Sequence, residues 1–168
     1  MKRACFFVIG VFLLSVILTG CDFPAGKSTQ HTFLQNREDV VKVEICTNDT
    51  FKILHSGEKP YSLSSLYALS EEEIDSLWAS LLEFPAYEVR YVNEGCGDLL
   101  FVVSYANGEQ ELIGYGEIGV INAEGLFDSY RNHRFWDGTL MSELFARYVS
   151  PKTLKETSES FRAYYELP

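Results

Sequence analysis

The chain predicts an α+β domain, an antiparallel sheet of about five strands with two helices packed on one face. Three observations carry that expectation. Stretches that alternate apolar and polar residues lie on both sides of a strongly amphipathic helical stretch, an Asn-Gly turn joins two of the later ones, and a second helical pattern follows. A length of 168 residues with 46% hydrophobic side chains suits one compact domain.

Asp39 to Cys46 alternates Val41, Val43 and Ile45 with Lys42 and Glu44, the pattern of a strand with one buried face. Phe51 to His55 is its expected partner across the polar turn Thr47-Asn48-Asp49-Thr50. Ser70-Glu71-Glu72-Glu73 is a capping box, in which the serine oxygen accepts an amide that the helix start leaves bare and Glu73 returns the bond. Ile74, Leu77, Trp78, Leu81 and Leu82 then fall on one helical stripe, which Pro85 stops. Next, Tyr87 to Asn93, Leu99 to Tyr105 and Glu109 to Ile113 read as a meander. Its last two strands are joined by Ala106-Asn107-Gly108-Glu109, where Asn-Gly suits a type I′ turn. Glu117 to Asn122 adds a strand, and Gly125 to Trp136 fits an edge strand or a loop. A second helix spans about Asp137 or Thr139 to Tyr148, with Leu140, Met141, Leu144 and Phe145 at helical spacing. Ser150-Pro151 ends it and opens a short helix anchored by Leu154, and residues beyond Thr157 read as a polar tail.

The first twenty residues follow a different logic. Lys2 and Arg3 precede an uncharged run, Cys5 to Leu18, rich in Phe, Val, Ile and Leu, which is the pattern of an export signal. It closes on Leu18-Thr19-Gly20-Cys21, which resembles the lipobox of bacterial lipoproteins: an apolar residue, two small ones, then the cysteine that receives the lipid. That resemblance implies removal of residues 1–20, lipidation of Cys21, and attachment to the outer side of the cell membrane. In a Gram-negative host it also implies that Asp22 favours retention at the inner membrane. The expected organisation is therefore a signal peptide at 1–20, a lipidated flexible tether at 21–37, a domain at 38–157 and a tail at 158–168. In layout the domain resembles small lipoproteins of Gram-positive bacteria, a likeness of architecture that carries no residue-level function.

The signal carries two of the 14 basic residues and none of the 24 acidic ones, so residues 21–168 hold 12 against 24, a formal charge of −12. That excess excludes nucleic acid, whose phosphates need clustered Lys and Arg. It also predicts repulsion from anionic lipid, so that the membrane is contacted through the N-terminal lipid alone.

Within the domain, Cys46 and Cys96 read as a candidate disulfide, closing a loop of about 50 residues worth roughly 3–4 kcal/mol, or as two separate buried thiols. His31, His55 and His133 are isolated, so neither a metal nor a cofactor is expected. Gly26-Lys27-Ser28 lacks the upstream glycine of a phosphate loop. Gly114-Tyr115-Gly116-Glu117-Ile118-Gly119 matches GxGxxG but runs on into Val120-Ile121 rather than into a helix, which predicts a turn or bulge instead of a dinucleotide site. The expected function is a non-enzymatic module binding an envelope protein or a small ligand, with Phe127, Tyr130, Arg134, Phe135 and Trp136 (beside His133) as a candidate partner surface. The alternatives are an envelope hydrolase using His133 with Asp128 or Asp137, and an immunity lipoprotein whose acidity complements a basic toxin.

Overall fold

The computed structural model describes residues 27–28, 36–48, 62–84, 86–88, 95–135 and 138–165. They form strands β1 (Lys27–Ser28), β2 (Val40–Asn48), β3 (Leu63–Ala68), β4 (Ala86–Glu88), β5 (Leu99–Tyr105), β6 (Gln110–Ile113), β7 (Glu117–Ile121) and β8 (Phe127–Phe135). The helices are α1 (Glu71–Glu83), α2 (Gly138–Ala146), α3 (Pro151–Thr157) and α4 (Glu159–Tyr165). The strands make one sheet in the order β1-β4-β8-β7-β6-β5-β2-β3, every neighbouring pair antiparallel. The α+β class holds, but the sheet has eight strands rather than five and four helices rather than two cover its face. The extra strands include the two-residue β1, which no periodicity could announce, whereas β4 coincides with the start of the expected strand from Tyr87.

All four helices lie on one face of the sheet. Ile74, Leu77, Trp78 and Leu81 of α1, Met141, Leu144 and Phe145 of α2, Leu154 of α3 and Phe161 of α4 share one core with Val43, Ile45, Phe101, Val103, Ile118 and Phe135. Phe101 and Phe145 stack with ring centroids 4.3 Å apart. On the other face, Cys46, Leu100, Val102, Leu112 and Ile121 form a second apolar cluster with Cys96. Strand β5 is therefore buried on both sides, which is why Leu99 to Tyr105 is an apolar run as well as an alternation.

Helix α1 runs between β3 and β4, strands six positions apart in the sheet, about 29 Å at ~4.8 Å per strand. Its 13 residues supply about 20 Å of that span at 1.5 Å each. Its capping box is formed: Ser70 N donates to Glu73 Oε2 at 2.8 Å, and Glu73 N to Ser70 Oγ at 3.4 Å. Arg37 bonds Glu71 and Asp75 at 2.8 Å each, tying the approach to β2 onto the same turn. Leu82, expected in the buried stripe, is 51% exposed, and the buried side of α1 consists of Ile74, Leu77, Trp78 and Leu81.

Several expectations are corrected locally. Strand β2 pairs with Leu63–Ala68 on one side and Leu99–Tyr105 on the other, its expected partner Phe51–His55 lies outside the described residues, and the strand runs into the expected turn as far as Asn48. A register shift between Val40 and Lys42 puts Val40 in the core and leaves Val41 exposed. The Asn-Gly turn is not type I′, because no residue other than glycine has positive φ. Instead Gly108 N donates to Tyr105 O and Gly108 takes φ 88°, a type I turn followed by a glycine bulge. Asn122 to Leu126 repeats that bonding, Gly125 N to Asn122 O and Asn122 N to Leu126 O. This second turn pairs 127–135 with β7, and β4 pairs on its other side, so it is an interior strand rather than an edge or loop. Finally, 158–165 is no tail: Phe161 is fully buried and α4 closes the core.

The capping box predicts that Ser70→Ala lowers the unfolding free energy by about 1 kcal/mol in urea denaturation. An unchanged midpoint would mean that the box adds nothing to helix α1.

Candidate functional site

Two glycine-dense segments meet at one end of the sheet. Gly95-Cys96-Gly97-Asp98 enters β5, and Gly114-Tyr115-Gly116 joins β6 to β7. A Cβ on Gly116 would collide with Gly95 O, one on Gly114 with Cys96 O and Leu99 O, and one on Gly119 with Cys96 Sγ. The GxGxxG spacing is thus explained by backbone packing, with Glu117 N donating to Gly95 O at 2.9 Å across the contact and a register shift between Glu117 and Gly119.

This junction also docks the C-terminal helix. Asp98 Oδ2 accepts from Glu159 N at 2.7 Å and Ser160 N at 3.3 Å. Its Oδ1 accepts from Ser158 Oγ, which in turn accepts from Phe161 N. A carboxylate from the β5 entry thereby helps cap α4 from outside its own chain segment. Tyr115 stacks on Tyr164 at 5.1 Å and bonds Ser142 Oγ at 3.2 Å, and Gly138 packs under the Tyr164 ring. Burial pushes the Tyr115 phenol well above its ordinary range despite the Ser142 bond. Tyr165 has Phe161 stacked at 4.7 Å and the Lys155 ammonium 5.2 Å from its ring centre, so two of its approaches are occupied.

Cys46 and Cys96 are free thiols, both buried. The Cys96 sulfur packs at Gly119 on β7, whereas Cys46 sits on β2, three strand positions away, about 14 Å at ~4.8 Å per strand. A disulfide bridges Cα atoms no more than ~7 Å apart, so the two sulfurs serve the second apolar cluster separately. Burial pushes the Cys46 thiol up to about 11 and the Cys96 thiol, which also faces the Glu117 carboxylate, up to about 12.

The expected partner surface is split. Phe135 is 3% exposed and meets Phe84 edge-to-face at 6.4 Å, so it belongs to the core and leaves the surface set. Phe127 is half-buried at the start of β8. Tyr130 stands opposite Gly119, and Arg134 stands between Tyr87 of β4 and the buried Glu117 of β7. Trp136 and Asp137 lie outside the described residues, as does Cys21. Asp128 and His133 are both on β8, five positions apart, with a register shift between them. Among the described residues no His, Cys, Asp and Glu group could hold a metal ion. No helix among them is long and apolar enough to cross a membrane.

Sequence reasoning missed Asp98 and the row that crosses the sheet at Lys27, Tyr87 and Arg134. The paired glycine segments were a usable signal for the junction; nothing in a two-residue strand signals the row. Comparison with known proteins finds no match to a family model, a curated protein or a solved structure.

Gly116→Ala should cost more than about 3 kcal/mol, because backbone must move, whereas Gly125→Ala, with φ 78° and no atom within 4 Å, should cost about 1–2 kcal/mol. Equal losses in thermal unfolding would contradict the junction. Both thiols should resist a disulfide reagent at pH 8 in the native protein and react on unfolding. Because folding raises their values, the stability they contribute is fully present below the unfolded thiol value of 9.0 and is lost as pH rises through about 11 and about 12. Rapid native labelling would show that they are accessible.

Proposed function

We propose that this chain is a lipid-anchored extracytoplasmic protein whose folded domain is a non-enzymatic module binding a component of the cell envelope. The observation that carries the reading is Leu18-Thr19-Gly20-Cys21 behind a basic start and an uncharged apolar run. The cysteine thiol is the nucleophile that takes the lipid, and small residues before it let a peptidase approach the backbone. A domain of charge −12 suits a basic partner, since complementary charge steers encounter and excludes wrong partners.

In cell fractionation the native protein should partition with membranes, and Cys21→Ala should keep the signal peptide and incorporate no radiolabelled fatty acid. Fatty-acid incorporation that survives Cys21→Ala would overturn the reading.

A further inference from the structure

Strand β3 ends the sheet on one side, with β2 as its neighbour among the described residues. Leu69 N donates to Val43 O at 3.0 Å and Ala68 stands opposite Glu44. By the alternation of an antiparallel ladder, the N–H and C=O of Ala68 therefore point away from β2. Ser64, Ser65, Tyr67 and Ala68 are exposed, and the strand from Leu63 to Ala68 holds no charged residue and no proline, two of the devices that keep an edge from pairing. The sheet's other edge, β1, is only two residues long. On β3, Tyr67 stands opposite Ile45 and Ser65 opposite Cys46, which leaves Leu66 as the extra residue of a bulge. The twist of a bulge disfavours a long flat stack and suits a short added segment.

Charge decides which segment fits. Residues 36–48 and 62–76, which make the approach to β2, then β2, β3 and the start of α1, hold seven acidic residues against two basic ones. Their balance of −5 is half of the chain's −10. Both basic side chains are already engaged, Arg37 with Glu71 and Asp75 and Lys42 with Glu44. Tyr67 stands opposite Ile45, a residue of the helix-covered core, and donates its hydroxyl to Glu73 at 2.9 Å. A side chain next to Tyr67 on an added strand thus comes alongside the acidic first turn of α1. A second copy of this chain would instead set −5 against −5 across the contact.

We propose that the β3 edge takes an extended basic segment of a partner protein as an added strand, bonded main chain to main chain at Ala68, with its Lys or Arg side chains on the Tyr67 side beside the Glu71–Glu73 turn. The proposal rests on the reading of the domain as a module for a basic envelope partner, and adds where and in what form that partner binds. Main-chain bonds supply affinity whatever the sequence, and alternate side chains supply the choice of partner.

The test titrates the full chain, in detergent micelles, with a short fluorescent peptide alternating Lys and Val, and follows hydrogen exchange at the Ala68 amide. Binding should slow that exchange about tenfold or more, while the Leu69 amide, already bonded to Val43, changes little. The same peptide N-methylated throughout keeps its charge, cannot pair as a strand, and should bind about tenfold more weakly. Glu72→Lys, an exposed position outside the capping box and the Arg37 pairs, should weaken the Lys-Val peptide several-fold. Equal binding of the methylated peptide, or binding that leaves Ala68 exchange unchanged, overturns strand addition and leaves a module for basic partners standing. Equal binding of a Glu-Val peptide overturns the charge argument and the basic-partner reading together. Protection of Ala68 by dimerisation without peptide assigns the edge to a second copy and overturns the proposal. So does failure of the Lys-Val peptide to bind, and neither result touches the anchor, which Cys21→Ala tests separately.

Discussion

The close approach of residues 95–98 to residues 114–119 is the contact on which the rest of the domain is arranged. Three backbone positions, Gly114, Gly116 and Gly119, have no room for a side chain because the Cys96 loop occupies that space. Where the loop lies determines where Asp98 stands, and Asp98 with Ser158 satisfies the first amides of α4. Helix α4 then places Phe161 in the core and Tyr164 against Tyr115. A chain segment that reads as a polar tail thus becomes part of the hydrophobic core through one carboxylate and one glycine-lined passage.

The elements legible in the sequence are those whose side chains repeat with a period. Helix α1 declares itself by its capping box and its apolar stripe, and β5 by a long apolar run bounded by Gly97 and Asn107. The pairing was less legible, because periodicity specifies a face and not a neighbour: β2 finds β3 and β5, where the nearest apolar stretch suggested a local hairpin. Register shifts at Val40 and Glu117 invert the pattern locally and misplace Val41. Of the candidate partner surface, Phe135 was misread because an aromatic residue in a strand looks the same from either face. The two cysteines read equally as a bridge or as separate buried thiols, because proximity across strands is invisible in their spacing, and they are separate.

The antiparallel sheet carries all four helices on one side and a second apolar cluster with Cys96 on the other, in a chain of formal charge −10. The buried Tyr105–Glu111 bond at 2.7 Å joins β5 to β6 and, with the glycine junction, stiffens that sheet.

The junction is tested most directly by native-state hydrogen exchange at the Glu117 amide, which donates to Gly95 O across the glycine contact. If that contact holds the domain together, this amide exchanges only through global unfolding, with the same free energy as the amides of β5. Exchange there at the rate of a surface turn, while β5 stays protected, would contradict the account.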